Sequence, residues 1–272
     1  MKHGSLFTFS LAVVLLSTSV VPGTAAPITF ANAVLADSPI AYWRFGEAPG
    51  AGTALDAAIG HDGAYFPGVT TGQPGIGGGD TGALFDGIAG KVTVPNDPEL
   101  GPDLITMEAL VRWDGPNTFQ QRILEKSFFT GGEQASYGLS VLPDGTLTVE
   151  IRSGGAATTH TTSQFLMPGD EAYIVGAFDG DDVFIYLDGV LLSQTEGTDG
   201  ALQDGLNPLG IGNQFERNRP FNGLIDELAL YDHVLSGDQI GEHFAALSPV
   251  PEPGTVGLLA IALAAFVPRR RR

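Results

Sequence analysis

The chain has 272 residues and a formal net charge of −18, with 31 acidic against 13 basic side chains and no cysteine. Without thiols there can be no disulfide staple, no haem attachment and no cysteine-type zinc site. The acidic balance disfavours nucleic acid and anionic lipid, whose phosphates are met by lysine and arginine.

At the N-terminus, Lys2 and His3 precede an apolar run from Leu6 to Val21, a Pro22-Gly23 break and the small residues Thr24-Ala25-Ala26. This is the layout of a cleaved secretion signal over residues 1–26. The run is shorter than the roughly 20 residues a spanning helix needs. Export through the Sec translocon with cleavage after Ala26 is expected, and the Ala31-Asn32-Ala33 step is a second possible cleavage point.

Residues 27–248 form the expected globular domain. They keep eight basic and thirty acidic side chains, a net charge of −22 that favours solubility and attracts divalent cations. Along Thr106 to Trp113, residues Met107, Ala109, Val111 and Trp113 fall on one face, and Thr106, Glu108 and Arg112 on the other. Tyr137 to Val141, the turn Pro143-Asp144-Gly145 and Leu147 to Ile151 predict a hairpin. A second hairpin is predicted from Ile174 to Phe178, the turn 179–182 and Val183 to Leu187, after which Asp188-Gly189 turns into Val190 to Leu192. Gly72 to Gly82 reads as a Gly-rich loop without the Lys-Ser/Thr of a phosphate-binding loop. One helix is predicted: Ser236 caps it, Gln239 completes a capping box, and Ile240, Phe244 and Leu247 share a face. Many short strands and almost no helix predict an all-β antiparallel sandwich or jelly roll.

The last segment, residues 249–272, holds Pro251-Glu252-Pro253, an uncharged stretch from Gly254 to Val267, and the cluster Arg269, Arg270, Arg271 and Arg272. As a helix the stretch reaches only about 21 Å, a minimal membrane stop helped by snorkelling arginines. The positive-inside rule keeps those arginines cytoplasmic and leaves Pro-Glu-Pro on the outer face. In that order, and together with a secretion signal, these residues resemble a PEP-CTERM sorting signal. The resemblance implies a transient inner-membrane anchor, removal of the tail by exosortase, and release to the surface or surroundings of a Gram-negative bacterium. A permanent anchor that is never cut is the alternative.

The domain resembles the LamG-like jelly-roll family of the concanavalin A-like lectin/glucanase superfamily. The resemblance is carried by Tyr42-Trp43-Arg44-Phe45 with Glu47, Phe85-Asp86-Gly87, Ile105 to Trp113, Phe178-Asp179-Gly180 and Tyr186-Leu187-Asp188-Gly189. It continues through Leu209-Gly210-Ile211-Gly212, Phe221 to Leu228, Tyr231 and the Leu235-Ser236 helix start. It implies two packed antiparallel sheets with the terminal strands near each other. It also implies one structural calcium ion where those strands meet, on Glu47 and Asp226, with Asp56 as a third candidate.

The chemistry of an enzyme is harder to find. No glutamate has an aspartate two residues later, so the paired carboxylates of the superfamily's glucanases lack their motif. The adjacent pair Asp226-Glu227 should point to opposite faces of a strand. No Gly-x-Ser-x-Gly occurs. His61, His160, His233 and His243 read as loop or surface residues, and Asp179, Asp181 and Asp182 as a solvated turn without EF-hand spacing. Trp43 and Trp113 read as core. Loop aromatics and cations, namely Phe128, Phe129, Phe215, Arg217, Arg219 and Phe221, are the candidate ligand contacts, because sugar sites pair an apolar platform with a few directed polar groups. A non-catalytic module that binds exopolysaccharide or another glycan is the favoured reading. A glycan-active enzyme with an unrecognised site, and a structural matrix protein without a ligand, remain the alternatives.

Overall fold

The computed structural model describes residues 29–76, 80–127, 135–197, 199–216 and 218–247. The expected secretion signal and sorting segment lie outside them. Among the described residues no helix is long and apolar enough to cross a membrane.

The chain opens with α1 (Phe30–Ala36), then β1 (Ala41–Trp43), β2 (Thr53–Ala54), β3 (Gly63–Tyr65), β4 (Val69–Pro74), β5 (Thr81–Asp86) and β6 (Val92–Val94). A single 3-10 turn at Pro98–Leu100 leads into β7 (Ile105–Trp113), β8 (Gln121–Ser127), β9 (Ala135–Val141), β10 (Thr146–Ser153) and β11 (Ala156–Phe165). Next come β12 (Glu171–Phe178), β13 (Asp182–Leu187), β14 (Val190–Glu196), β15 (Leu209–Ile211), β16 (Asn222–Tyr231) and α2 (Gly237–Ala246).

Among the described residues these strands form two eight-stranded sheets. The first runs β14-β13-β12-β7-β16-β5-β4, with β1 also on β16, and the second runs β11-β10-β9-β8-β15-β6-β3-β2. Both predicted hairpins form, with Leu147 opposite Val141 and Phe178 opposite Val183. The terminal strands meet as expected, Trp43 pairing with Leu228. Both ends of the stretch from Gly72 to Gly82 are strand and not loop: β4 extends to Pro74 and β5 starts at Thr81, with Gln73 paired to Gly82.

Between the sheets lie the inward side chains of both, including Trp43, Trp113, Met107, Val111, Leu139 and Val149. Removing one large aromatic from such a core typically costs about 3–5 kcal/mol. A second, smaller core forms on the outer face of the first sheet, where Phe30, Val34, Leu235 and Ile240 of the helical segments cover Leu110, Tyr173 and Tyr231. Ser236 caps α2 with the predicted box, its Oγ accepting from Gln239 N at 3.3 Å. α1 was not expected. Thr29 caps it, Phe30 and Val34 are buried, and the Ala31-Asn32-Ala33 step lies inside it.

Candidate functional site

Four turns converge at one end of the sandwich. They are residues 66–68 after β3, 87–91 after β5, 114–120 before β8, and 212–216 with 218–221 between β15 and β16. Asp86 shapes the second, its Oδ1 accepting the amides of Ile88, Ala89 and Gly90, each at 2.9 Å. A Cβ at Gly90 would lie 2.5 Å from the Gly68 carbonyl oxygen, so the first two turns touch only because that residue is glycine.

The long turn before β16 is pinned from inside. Asn213, almost fully buried, accepts the amides of Gln214 and Arg219 on Oδ1 at 2.9 and 2.6 Å. Its Nδ2 donates to Asn218 Oδ1 at 3.1 Å. Gln214 Nε2 donates to both Glu125 oxygens, at 2.9 and 2.8 Å, anchoring the turn on β8. Burial pushes the Glu125 carboxyl upward even though Arg122 pulls the other way. Asn117 Nδ2 ties the neighbouring turns by donating to the Gly87 carbonyl at 2.6 Å.

The result is a two-lobed groove. One lobe, about 420 Å³, is lined by Phe66, Lys91, Phe215 and Asn218; the other, about 310 Å³, by Ile88, Asn117, Phe119 and again Asn218. Phe66 and Phe119 are solvent-exposed aromatic rings. Lys91 Nζ sits 4.8 Å from the Phe66 ring centre and donates to the Phe215 carbonyl at 3.0 Å. The Arg219 guanidinium lies 5.5 Å from the Phe119 ring centre. Exposed aromatic faces beside amide groups on a pinned frame can stack and hydrogen-bond a sugar.

Of the candidate ligand contacts, Phe215 lines this groove, and Arg219 reaches it only through its guanidinium beside the Phe119 ring. Phe221 does not: it is fully buried in the main core and has no surface to offer. Phe128, Phe129 and Arg217 lie outside the described residues. Phe66, Lys91, Asn117, Phe119, Asn213 and Asn218 were not singled out from sequence. They lie on separate turns, and only the fold brings them together.

The candidate calcium ligands scatter. Glu47 accepts from Leu55 N at 2.8 Å and from the Tyr65 hydroxyl at 2.7 Å. Asp56 accepts five backbone amides, those of Tyr42, Ala58, Ile59, Gly60 and His61. Its pKa is lowered because those amides outweigh the cost of burial. Asp226 instead gathers with Asp80 and Glu227, one oxygen of each lying within 4.8 Å of the others. The expectation that Asp226 and Glu227 face opposite ways is thus corrected. β16 shifts register between Asp226 and Ala229, and Glu227 sits at φ 49°, so strand alternation breaks at that step.

Arg44 reaches into this group, pairing with Asp80 and, at 3.0 Å, with Glu227. Asp226 Oδ2 accepts Ile76 N at 2.9 Å, whereas its buried Oδ1 has no hydrogen-bond donor among the described residues. Burial first, with repulsion from Glu227 and Asp80, pushes the Asp226 carboxyl up to about 8. A buried oxygen without a partner, flanked by two more carboxylates, fits the all-oxygen preference of a hard cation such as calcium.

The histidines also differ from a plain surface reading. His243 is buried on α2, His160 is almost buried on β11, and the His61 ring is largely covered.

A family model for the concanavalin A-like lectin/glucanases superfamily matches residues 86–241, and one for the PEP-CTERM protein-sorting motif matches 249–272. No curated protein sequence matches the chain. Among solved structures, Trypanosoma rangeli sialidase aligns at 17% identity and TM-score 0.60 over 84% of this chain. The chain spans only 35% of that enzyme. Domain 4 of AbnA, a GH43 extracellular arabinanase from Geobacillus stearothermophilus solved with arabinotriose, aligns at 16% identity and TM-score 0.56, covering 76% of this chain and 98% of that one. The binding domain of Paraclostridial Mosquitocidal Protein 1 aligns at 15% identity and TM-score 0.62, covering 77% and 52%. At such identities the likeness is one of fold.

Proposed function

The chain belongs to the concanavalin A-like lectin/glucanases superfamily, and from that membership we propose that it is an exported, non-catalytic glycan-binding or adhesive module. Its PEP-CTERM motif marks an exported protein and implies exosortase as the processing partner. The finer reading is passage through a transient inner-membrane anchor to the surface of a Gram-negative bacterium, where an exopolysaccharide is the ligand. One observation carries the binding reading: a pinned two-lobed groove with exposed Phe66 and Phe119 on either side of the Asn218 amide. That AbnA domain was solved with arabinotriose lends it support.

The test is a glycan-binding screen of the purified protein, repeated with Phe66→Ala and Phe119→Ala. Binding weakened about tenfold by either change, about 1.4 kcal/mol, is the expected result. Binding indifferent to both changes would move the ligand elsewhere, and reducing ends released from any polysaccharide would replace the module with an enzyme.

A structural calcium ion belongs to the same reading, held by Asp80, Asp226 and Glu227. The unpartnered Asp226 Oδ1 is what favours it. A cation there would compensate buried charge beyond what Arg44 supplies and would tie β16 to the turn that follows β4.

A further inference from the structure

A second cluster, away from the groove and from Asp226, combines one nitrogen with two oxygens. His61 lies between β2 and β3, and Asp97 and Glu99 form the 3-10 turn after β6. Its backbone is fixed on both sides: His61 N donates to Asp56 Oδ2 at 2.8 Å, and Trp43 Nε1 donates to the His61 carbonyl at 2.8 Å. The ring is fixed too. Nδ1 lies 3.1 Å from the Ile40 carbonyl oxygen, which can only accept, so Nδ1 carries the hydrogen. In the neutral ring this leaves the Nε2 lone pair facing outward, 3.5 Å from Glu99 Oε2 and 3.8 Å from Asp97 Oδ1. Among the described residues neither carboxylate has a lysine or arginine within ion-pair distance.

A lone pair facing two carboxylates repels them unless a cation lies between. The two separations, 3.5 and 3.8 Å, are longer than direct hydrogen bonds. Ligands bound at about 2.0–2.2 Å around a tetrahedral zinc ion stand roughly 3.4 Å apart. The two nitrogen–oxygen separations, 3.5 and 3.8 Å, lie close to that spacing, and all three atoms fall within 4.8 Å of one another. The Ile40 carbonyl serves as the outer partner that metal-binding imidazoles commonly have, and Asp97 Oδ1 is steadied by the Glu99 amide at 2.9 Å. An imidazole among the donors selects against calcium and for a first-row divalent ion.

We propose that His61, Asp97 and Glu99 bind a divalent transition-metal ion, zinc in the first instance, clamping the β2–β3 loop to the turn after β6. β3 and β6 carry Phe66 and Lys91 of the groove at their other ends, so the clamp would brace the sheet edge on which that lobe is built.

Zinc titrated into chelator-stripped protein, followed by calorimetry and by melting, tests this. One equivalent should bind at micromolar zinc and raise Tm, with a tenfold excess of calcium failing to displace it. His61→Gln should abolish that site, and Glu99→Gln, at an exposed position that leaves the fold intact, should weaken it about tenfold. Zinc uptake unchanged in Glu99→Gln and His61→Gln, or no uptake by the wild type, overturns the assignment. Melting of each variant in chelator separates loss of the site from loss of the fold.

Discussion

His243 on α2 holds Glu108 of β7 through Nδ1 and Asp37 at the end of α1 through Nε2, each contact 3.0 Å long. One buried ring therefore joins both helices to the sheet they cover. Glu108 also accepts the Tyr231 hydroxyl at 2.5 Å and the Tyr173 hydroxyl, and Phe30 packs edge-on to the imidazole. Burial opposes charge on the ring, but the hydrogen bond and charge of Glu108, with Asp37, outweigh it and raise its pKa. A group raised in the folded state gives stability that is complete below its unfolded value, about 6.5, and is lost as pH climbs through the folded one. Tm should fall on that alkaline limb, and His243→Gln should flatten it while lowering Tm at pH 6. Parallel curves for variant and wild type would refute the clasp.

Asp226 also makes stability fall as pH rises, but because its charged form is the one the fold disfavours. Unfolded, it loses its proton near 3.8; folded, near 8. Between those values the folded state binds more protons, so without a metal ion the folded state loses stability as pH rises from about 4 to 8. Asp226→Asn keeps an acceptor for Ile76 N and offers the neighbouring carboxylates a donor. In chelator at pH 7 it should raise stability by roughly 1–3 kcal/mol, the usual cost of a buried unpaired polar group. Denaturant melts measure it, and a destabilised variant contradicts the reading.

Both features show where sequence pattern stops. Period-two alternation placed Met107, Ala109, Val111 and Trp113 inward, and all four are in the core. Asp-Gly turns placed both hairpins, and Ser236 with Gln239 placed α2, because these signals are local. The bulge at Asp226 is not local: it falls where β16 passes from pairing with β5 to pairing with β1. Likewise the burial of His243 depends on α1, whose seven residues carry no strong helix signal, and on partners 135 and 206 positions away. The groove is the extreme case, since Phe66, Phe119 and Asn218 share no segment.

Calcium should act through Asp226. At free calcium 100-fold above its dissociation constant, binding adds about 2.7 kcal/mol of stability. The melting shift should vanish in Asp226→Ala and survive Glu47→Gln, since Glu47 is turned toward Leu55 and Tyr65. Identical melts with and without chelator, and no calcium by elemental analysis, would remove the ion.

Asn213 separates a pinned groove from a merely adjacent one. Its side chain makes three hydrogen bonds inside the turn before β16, to Gln214, Asn218 and Arg219. Asn213→Ala leaves two backbone amides without their acceptor and frees Asn218, the residue common to both lobes. A preorganised site loses affinity when its frame loosens, because ordering must then occur on binding. Glycan affinity should therefore fall about tenfold or more, with a stability loss of roughly 1–2 kcal/mol. Amide hydrogen exchange should speed up across residues 213–219 while β7 and β12 stay protected. Phe119→Ala should lower affinity without that exchange signature. If Asn213→Ala binds as tightly as wild type while its turn exchanges freely, rigidity of the turn is not what makes the site.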